Sequence, residues 1–194
     1  MLIELFKRQP FFIYWKRTVV FFAAISGILG YGTVPQKTAT PEYQVKAVFL
    51  YNIAQFIEWP NDSSANEKSP LIIGILGRDP FGSYLDDTVK GEEINGRPLT
   101  IERYANIAAI KQCHILFIHA SFAPKLPTIR KSLKGKGILT VSDASNFAKQ
   151  GGMVRFFEQK NKIRLRINLD AVKAENITIS SKLLRLAEIV DPKY

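Results

Sequence analysis

Cys113 and His114 stand side by side, the chain's one thiol next to one of its two imidazoles. A cysteine is commonly activated as a nucleophile by a base in hydrogen-bond reach, as in a Cys–His pair. Neighbours on a strand point to opposite faces, so adjacency does not bring these two groups together. Cys113 therefore reads as a buried packing residue. No Gly-x-Ser-x-Gly elbow occurs. One cysteine excludes an intramolecular disulfide and a multi-cysteine metal site, and two histidines leave any metal centre dependent on carboxylates. The acidic pairs Asp86-Asp87 and Glu92-Glu93 fall in helix-end and turn contexts and read as solvated. Neither catalytic residues nor a metal or cofactor are expected from this pattern.

Anion binding is the better-supported chemistry. GRDPFG, from Gly77 to Gly82, follows an apolar run and opens a helix, a geometry whose free backbone N–H groups can hold an anion. It lacks the Gly-Lys-Ser/Thr of a P-loop and the glycine spacing of a dinucleotide fingerprint, so a plain turn is the favoured reading and an anion loop the alternative. Ser142-Asp143 follows a later strand and should lie at the same sheet edge. Arg164 and Arg166 alternate with Ile163, Leu165 and Ile167 and share one strand face, which Arg155 joins across a hairpin. Forked guanidinium groups in such a row suit phosphate or carboxylate, and a solvated basic edge is the alternative. The candidate ligand-binding residues are Gly77, Arg78, Ser142, Arg155, Arg164 and Arg166.

The elements that must position them follow from hydrophobic periodicity. Residues 41–60, PEYQVKAVFLYNIAQFIEWP, read as a helix. Val45, Phe49, Ile53, Phe56 and Ile57 form one apolar stripe, and Tyr43, Ala47, Leu50 and Ala54 form a second. Gln44, Tyr51 and Gln55 make a narrow polar strip, while Lys46 and Asn52 interrupt the apolar surface. Such a helix is buried on two sides or covered by a partner. LIIGIL, CHILFI and GILTV are short apolar runs of strand length, buried on both faces as in a parallel sheet. Asp79 is the expected N-cap of a helix beginning at Pro80, and RPLTIER reads as a further strand. Short helices are expected over 105–111, over 124–134 and from Ser142 to Phe147. MVRFFEQ and KIRLRIN alternate around Lys160-Asn161 as an antiparallel hairpin. An amphipathic helix is expected over 180–190. The alternation predicts an α/β fold: a mostly parallel sheet flanked by helices on both faces, with a C-terminal antiparallel hairpin.

The first 32 residues read as an export signal. Lys7, Arg8, Lys16 and Arg17 precede VVFFAAISGIL, and Gly30-Tyr31-Gly32 follows with residues suited to cleavage. The apolar run is short of the ~20 residues that cross a bilayer, which favours a cleaved signal over a permanent anchor. No cysteine lies near the cut, so lipid attachment of the lipoprotein type is excluded. Cleavage near Gly32 removes four basic residues and one acidic residue, lowering the formal charge from +10 to +7. Residues 33–40 form a polar lead-in, and 41–190 make the domain. Composition, 46% hydrophobic and 23% charged, is that of a globular chain. A basic exported protein can meet anionic headgroups, an acidic partner or a phosphate ligand, whereas nucleic acid is not an expected partner.

Five segments together carry a resemblance: AVFLYNIAQFIEWP, LGRDPFG, CHILFI, LTVSDASNFAKQGGMVRF and IRLRINLDAVKAENITISSKLLRLA. In this order and spacing, over about residues 41 to 190, the chain resembles the YfiR family of periplasmic regulators. The resemblance implies a non-catalytic α/β domain exported to the Gram-negative periplasm. Family members with a known role repress an inner-membrane diguanylate cyclase of the YfiN type by binding its periplasmic region, and so lower cyclic-di-GMP and biofilm formation. An outer-membrane lipoprotein of the YfiB type can sequester the repressor. Dimers occur among relatives, so the first helix gains a second use, with Val45, Phe49, Tyr51 and Ile53 as the expected partner-binding residues. Some relatives carry cysteine pairs that form disulfides; with Cys113 alone, this chain departs from that pattern. A small-molecule binding protein, using the loop and the arginines for a phosphate or carboxylate, is the alternative function.

Overall fold

Pro41, with its φ already set for a first helical turn, opens α1 (Pro41–Ala54), and Glu42 places a carboxylate at the positive end of the dipole. The computed structural model describes residues 39–60 and 69–190. The expected export signal, nearly all of the expected lead-in and the loop at 61–68 lie outside these. No helix among the described residues is long and apolar enough to cross a membrane.

The chain alternates strands and helices. In order come β1 (Ile57–Glu58), β2 (Leu71–Leu76), α2 (Ser83–Val89), β3 (Glu93–Ile94), β4 (Arg97–Tyr104) and β5 (Ile115–Ile118). They are followed by α3 (Leu126–Leu133), β6 (Leu139–Ser142), β7 (Val154–Gln159) and β8 (Lys162–Ile167). The last elements are α4 (Leu169–Lys173), β9 (Thr178–Ile179), α5 (Ser181–Leu184) and β10 (Ala187–Ile189). Eight of these strands form one sheet in the order β10-β8-β7-β6-β5-β2-β4-β3. The run β4-β2-β5-β6-β7 is parallel throughout. β7 and β8 form the antiparallel hairpin, turning through Lys160 and Asn161 at φ 51° and 56°, the left-handed pair that a two-residue hairpin turn requires. The expected fold class holds.

Side-chain alternation divides the core between the two faces of the sheet. Ile73, Ile75, Ile115, Phe117 and Val141 pack beneath Ala47, Leu50 and Ile53 of α1 and Leu85 of α2. Leu76, Leu116 and Ile118 face the other way, onto Leu126, Ile129 and Leu133 of α3. Gly74 lies on this second face, where an added Cβ would sit 2.5 Å from the Tyr104 ring and 2.8 Å from Cys113 Sγ. Here the strand's missing side chain is the condition for packing.

Several boundaries differ from expectation. α1 stops at Ala54, and Ile57-Glu58 leaves the helix to pair with Ile179 and Thr178. The helix expected from Pro80 begins at Ser83, because Asp79 caps a tight turn ahead of it. No helix runs from Ser142 to Phe147: Asn146 takes a left-handed φ of 60°, and the Phe147 ring folds over Gly152. The helix expected over 180–190 is four residues of α5 and then a strand. The open edge of β8 offers unpaired backbone groups, and β10 takes them, with Val190 N–H donating to the Ile167 carbonyl at 2.8 Å. The helix expected over 105–111 is a 3-10 turn (Ile107–Ala109), and the one expected over 124–134 divides into a 3-10 segment (Ala120–Lys125) and α3.

Candidate functional site

Three side-chain groups could serve function: the loop after β2, the junction of α1 with β6, and the open face of the β7–β8 hairpin. The loop is already filled. Asp79 Oδ1 accepts from the backbone N–H of Phe81 at 2.7 Å and of Gly82 at 3.3 Å, the donors an anion would use. Gly77 N–H donates to the Tyr104 carbonyl at 3.0 Å. Gly77 has a φ of 92°, and a Cβ there would meet the Phe122 ring at 2.7 Å. Arg103 closes the loop from β4, donating to Asp79 Oδ2 at 2.7 Å, to the Gly82 carbonyl at 3.0 Å and to Asp86. Its pKa is raised, above all by the hydrogen bond to Asp86. The GRDPFG stretch is thus a self-satisfied turn rather than an anion cradle, and Arg78 projects from it into solvent.

Ser142 is likewise occupied. Fully buried, its hydroxyl donates to the Ile118 carbonyl at 2.7 Å and accepts from Ala144 N–H at 3.1 Å. It ties β6 to β5 and faces no ligand space. Its neighbour Asp143 makes the more distinctive contact. Asp143 Oδ2 accepts from Lys46 Nζ at 2.6 Å and from the Tyr43 hydroxyl at 2.8 Å. Lys46 also pairs with Glu42 at 2.5 Å, one turn earlier on α1. Its ammonium lies 4.4 Å from the centre of the Tyr43 ring, although the lysine is only 3% exposed. Burial, and then the bond to Asp143, raise the Tyr43 hydroxyl pKa. The interruption of α1's apolar surface by Lys46 was the sequence signal for this cluster.

The hairpin face matches its expected geometry. Leu165 and Ile167 are fully buried, which leaves Arg164 and Arg166 on the opposite side with Arg155 directly across from Arg166. Phe157 stands among them: the Arg166 guanidinium lies 4.3 Å from its ring centre and that of Arg155 6.0 Å. Arg166 donates through Nη2 to Glu188 Oε2 at 2.6 Å and through Nε at 3.1 Å. Arg155 differs. Its Nε is buried with no hydrogen-bond partner among the described residues, and burial followed by the charge of Arg166 lowers its pKa. A buried guanidinium donor left unmatched is the arrangement an anion would relieve. The structure therefore brings together Arg155, Arg164 and Arg166, sets Ser142 next to Arg155 across the β6–β7 pair with its hydroxyl already engaged, and leaves Gly77 and Arg78 outside the group.

The expected partner-binding residues on α1 divide. Val45 is 45% exposed and Val48, which the stripes did not single out, 38%. Phe49 is half-buried, edge-on to Phe156 at 6.1 Å. Tyr51 donates to Glu92 Oε2 at 2.7 Å, and its hydroxyl is pushed up to about 12, by burial first and that bond second. Ile53, at 1% exposure, belongs to the core and offers nothing to a partner. Cys113 is buried as expected: Sγ donates to the Ile115 carbonyl at 2.9 Å, and burial pushes the thiol up to about 12. Among the described residues no group of three His, Cys, Asp or Glu side chains could hold a metal.

A family model, DUF4154, described as YfiR/HmsC-like, matches residues 43–188. That span covers nearly all the described elements, from the first turn of α1 to β10. No curated protein matches the chain. Among solved structures, the fold is similar to a crystal structure from Streptococcus pneumonia described as the ABC domain in complex with L-Trp. The two share 12% identity at a TM-score of 0.50, over 76% of this chain and 60% of that one. The chain thus spans under two thirds of that neighbour, and at this identity the likeness is one of fold alone.

Proposed function

The chain belongs to the YfiR/HmsC-like family, and from that premise we propose that it represses an inner-membrane diguanylate cyclase by binding the cyclase's periplasmic region. At family level this is a periplasmic regulator of diguanylate cyclase signalling, not an enzyme. The finer reading adds repression, lower cyclic-di-GMP and reduced biofilm formation. It includes residues 1–32 as a cleaved export signal, 33–40 as lead-in and 41–190 as the working domain. The observation that carries it is the family match across the whole α/β domain. Val45 and Val48 support it, as exposed apolar residues on a helix otherwise packed into the core. A second copy of the chain and a lipoprotein of the YfiB type are further proposed occupants of such a surface. The test is capture of a membrane cyclase from detergent extract by the mature protein, compared with Val45→Asp. Capture by the parent and its loss in the variant are expected; no cyclase captured by either would contradict the reading.

Arg155 favours a second reading, in which the hairpin face holds a small phosphate or carboxylate ligand. The unmatched buried Nε beside Arg166 is the supporting observation. Titration calorimetry with inorganic phosphate and citrate tests it. Heat of binding that disappears in Arg155→Ala is expected, and no binding by the parent would discard it.

A further inference from the structure

Between Glu102 and Asp143 the chain contains seven basic residues and no carboxylate. Five of the seven gather at α3 and its flanks: Lys125, Arg130, Lys131, Lys134 and Lys136 are all exposed. The helix explains the display, because Leu126, Ile129 and Leu133 turn inward at helical spacing and every cation is left outward. Among the described residues, none of these five cations is in an ion pair. Glu175 reaches the end of the patch, and its Oε2 accepts from the backbone N–H of Gly135 at 2.8 Å and of Gly137 at 3.4 Å rather than from a lysine. Arg130 lies over Gly151, and Lys149 is exposed in the same turn.

The sheet extends this asymmetry. Val154, Phe156, Leu165 and Ile167 point to the α1 side, so Arg155, Arg164 and Arg166 stand on the α3 side. On the α1 side, α2 carries Asp86 and Asp87 instead.

We infer that the α3 face is a docking surface for anionic, phosphate-bearing lipid headgroups, holding the protein reversibly against a membrane. Two observations favour a lipid surface over a protein partner. A protein interface is organised around buried aromatic or aliphatic anchors. Among the described residues the large exposed apolar ones are Val45, Val48 and Ile189, none of them on α3. Cations outside any ion pair, with only Lys125 resting over the Phe122 ring at 5.2 Å, also suit a mobile lattice of phosphates, which asks for charge density and not for one geometry. The inference stands apart from the cyclase reading, since it needs neither the cyclase nor the surface at Val45.

Co-sedimentation of the mature protein with vesicles provides the test. Vesicles of phosphatidylcholine with phosphatidylglycerol as the anionic component, whose negative surface attracts basic residues, are compared with phosphatidylcholine alone. Binding should require the anionic lipid and fall steeply as salt rises. Neutralising Lys131, Lys134 and Lys136 to Gln should weaken it on the order of a hundredfold, at about fivefold per cation removed. The control neutralises Lys90, Lys173 and Lys182, which lie on elements of the α1 side, and should retain most of the binding. Melting curves verify that both triple variants are folded. No preference for the anionic vesicles overturns the inference. So does equal loss in both variants, which would make net charge the cause, and so does binding that persists in high salt.

Discussion

Lys46 is the residue whose role is most demanding. A lysine 3% exposed must keep its charge compensated, and Asp143 and Glu42 do so from just beyond β6 and from α1 itself. Lys46→Met should therefore destabilise the fold by about 3–5 kcal/mol, because Asp143 is left partly buried with only the Tyr43 hydroxyl. Lys46→Met combined with Asp143→Leu should recover most of that loss, as buried pairs are often replaceable by apolar groups of similar size. Chemical denaturation of the two variants measures both effects. Additive losses in the double variant would show that the pair is not a unit. Cys113 gives a pH prediction. Its thiol is pushed from an ordinary 9 up to about 12 by burial, so the native state favours the neutral form. The unfolded thiol ionises first, and stability present below pH 9 is lost as pH rises toward 12. Denaturation across that window should show the decline beginning about one unit earlier in the parent than in Cys113→Ala, where the tyrosines alone begin to titrate near 10. Identical profiles would contradict the assignment.

At the scale of elements, the sequence was legible wherever local pattern decides the outcome. LIIGIL became β2 without a shift of boundary, and Lys160-Asn161 turned the hairpin that places three arginines on one face. It failed where a distant partner decides. Leu183, Leu184, Leu186 and Ala187 satisfy a helical stripe, yet Ala187–Ile189 is drawn into the edge left open by β8. The stretch after Ser142 failed for another reason. A left-handed Asn146 and the seat of Phe147 on Gly152 are tertiary requirements with no periodic signature. The candidate site shows the same division. The arginine row follows from period-two alternation, whereas the pairing of Lys46 with Asp143 spans almost a hundred residues and was visible only as a misplaced charge on an apolar helix. Asp79 decides between the two readings of the loop in favour of the plain turn, since its carboxylate occupies the backbone donors that an anion would have needed. Gly74 carries the element-scale prediction. Gly74→Ala forces β2 away from Tyr104 and Cys113 and should cost about 1–3 kcal/mol by overpacking. Thermal melting checks it, and a variant as stable as the parent would mean that this face yields easily.

As a whole molecule, the chain has residues 1–32 as its proposed export signal and carries a YfiR/HmsC-like α/β domain with two surfaces of unlike character. One is an apolar strip on α1 at Val45 and Val48; the other is basic, on the α3 side. A regulator of a membrane enzyme has use for both, one to engage the enzyme and one to remain near it. The central claim is repression, and cyclic-di-GMP measured in a strain lacking the chain tests it most directly. The deletion should raise the nucleotide, a copy carrying residues 1–32 should restore the lower level, and a copy without them should not. A level unchanged by the deletion would contradict the account.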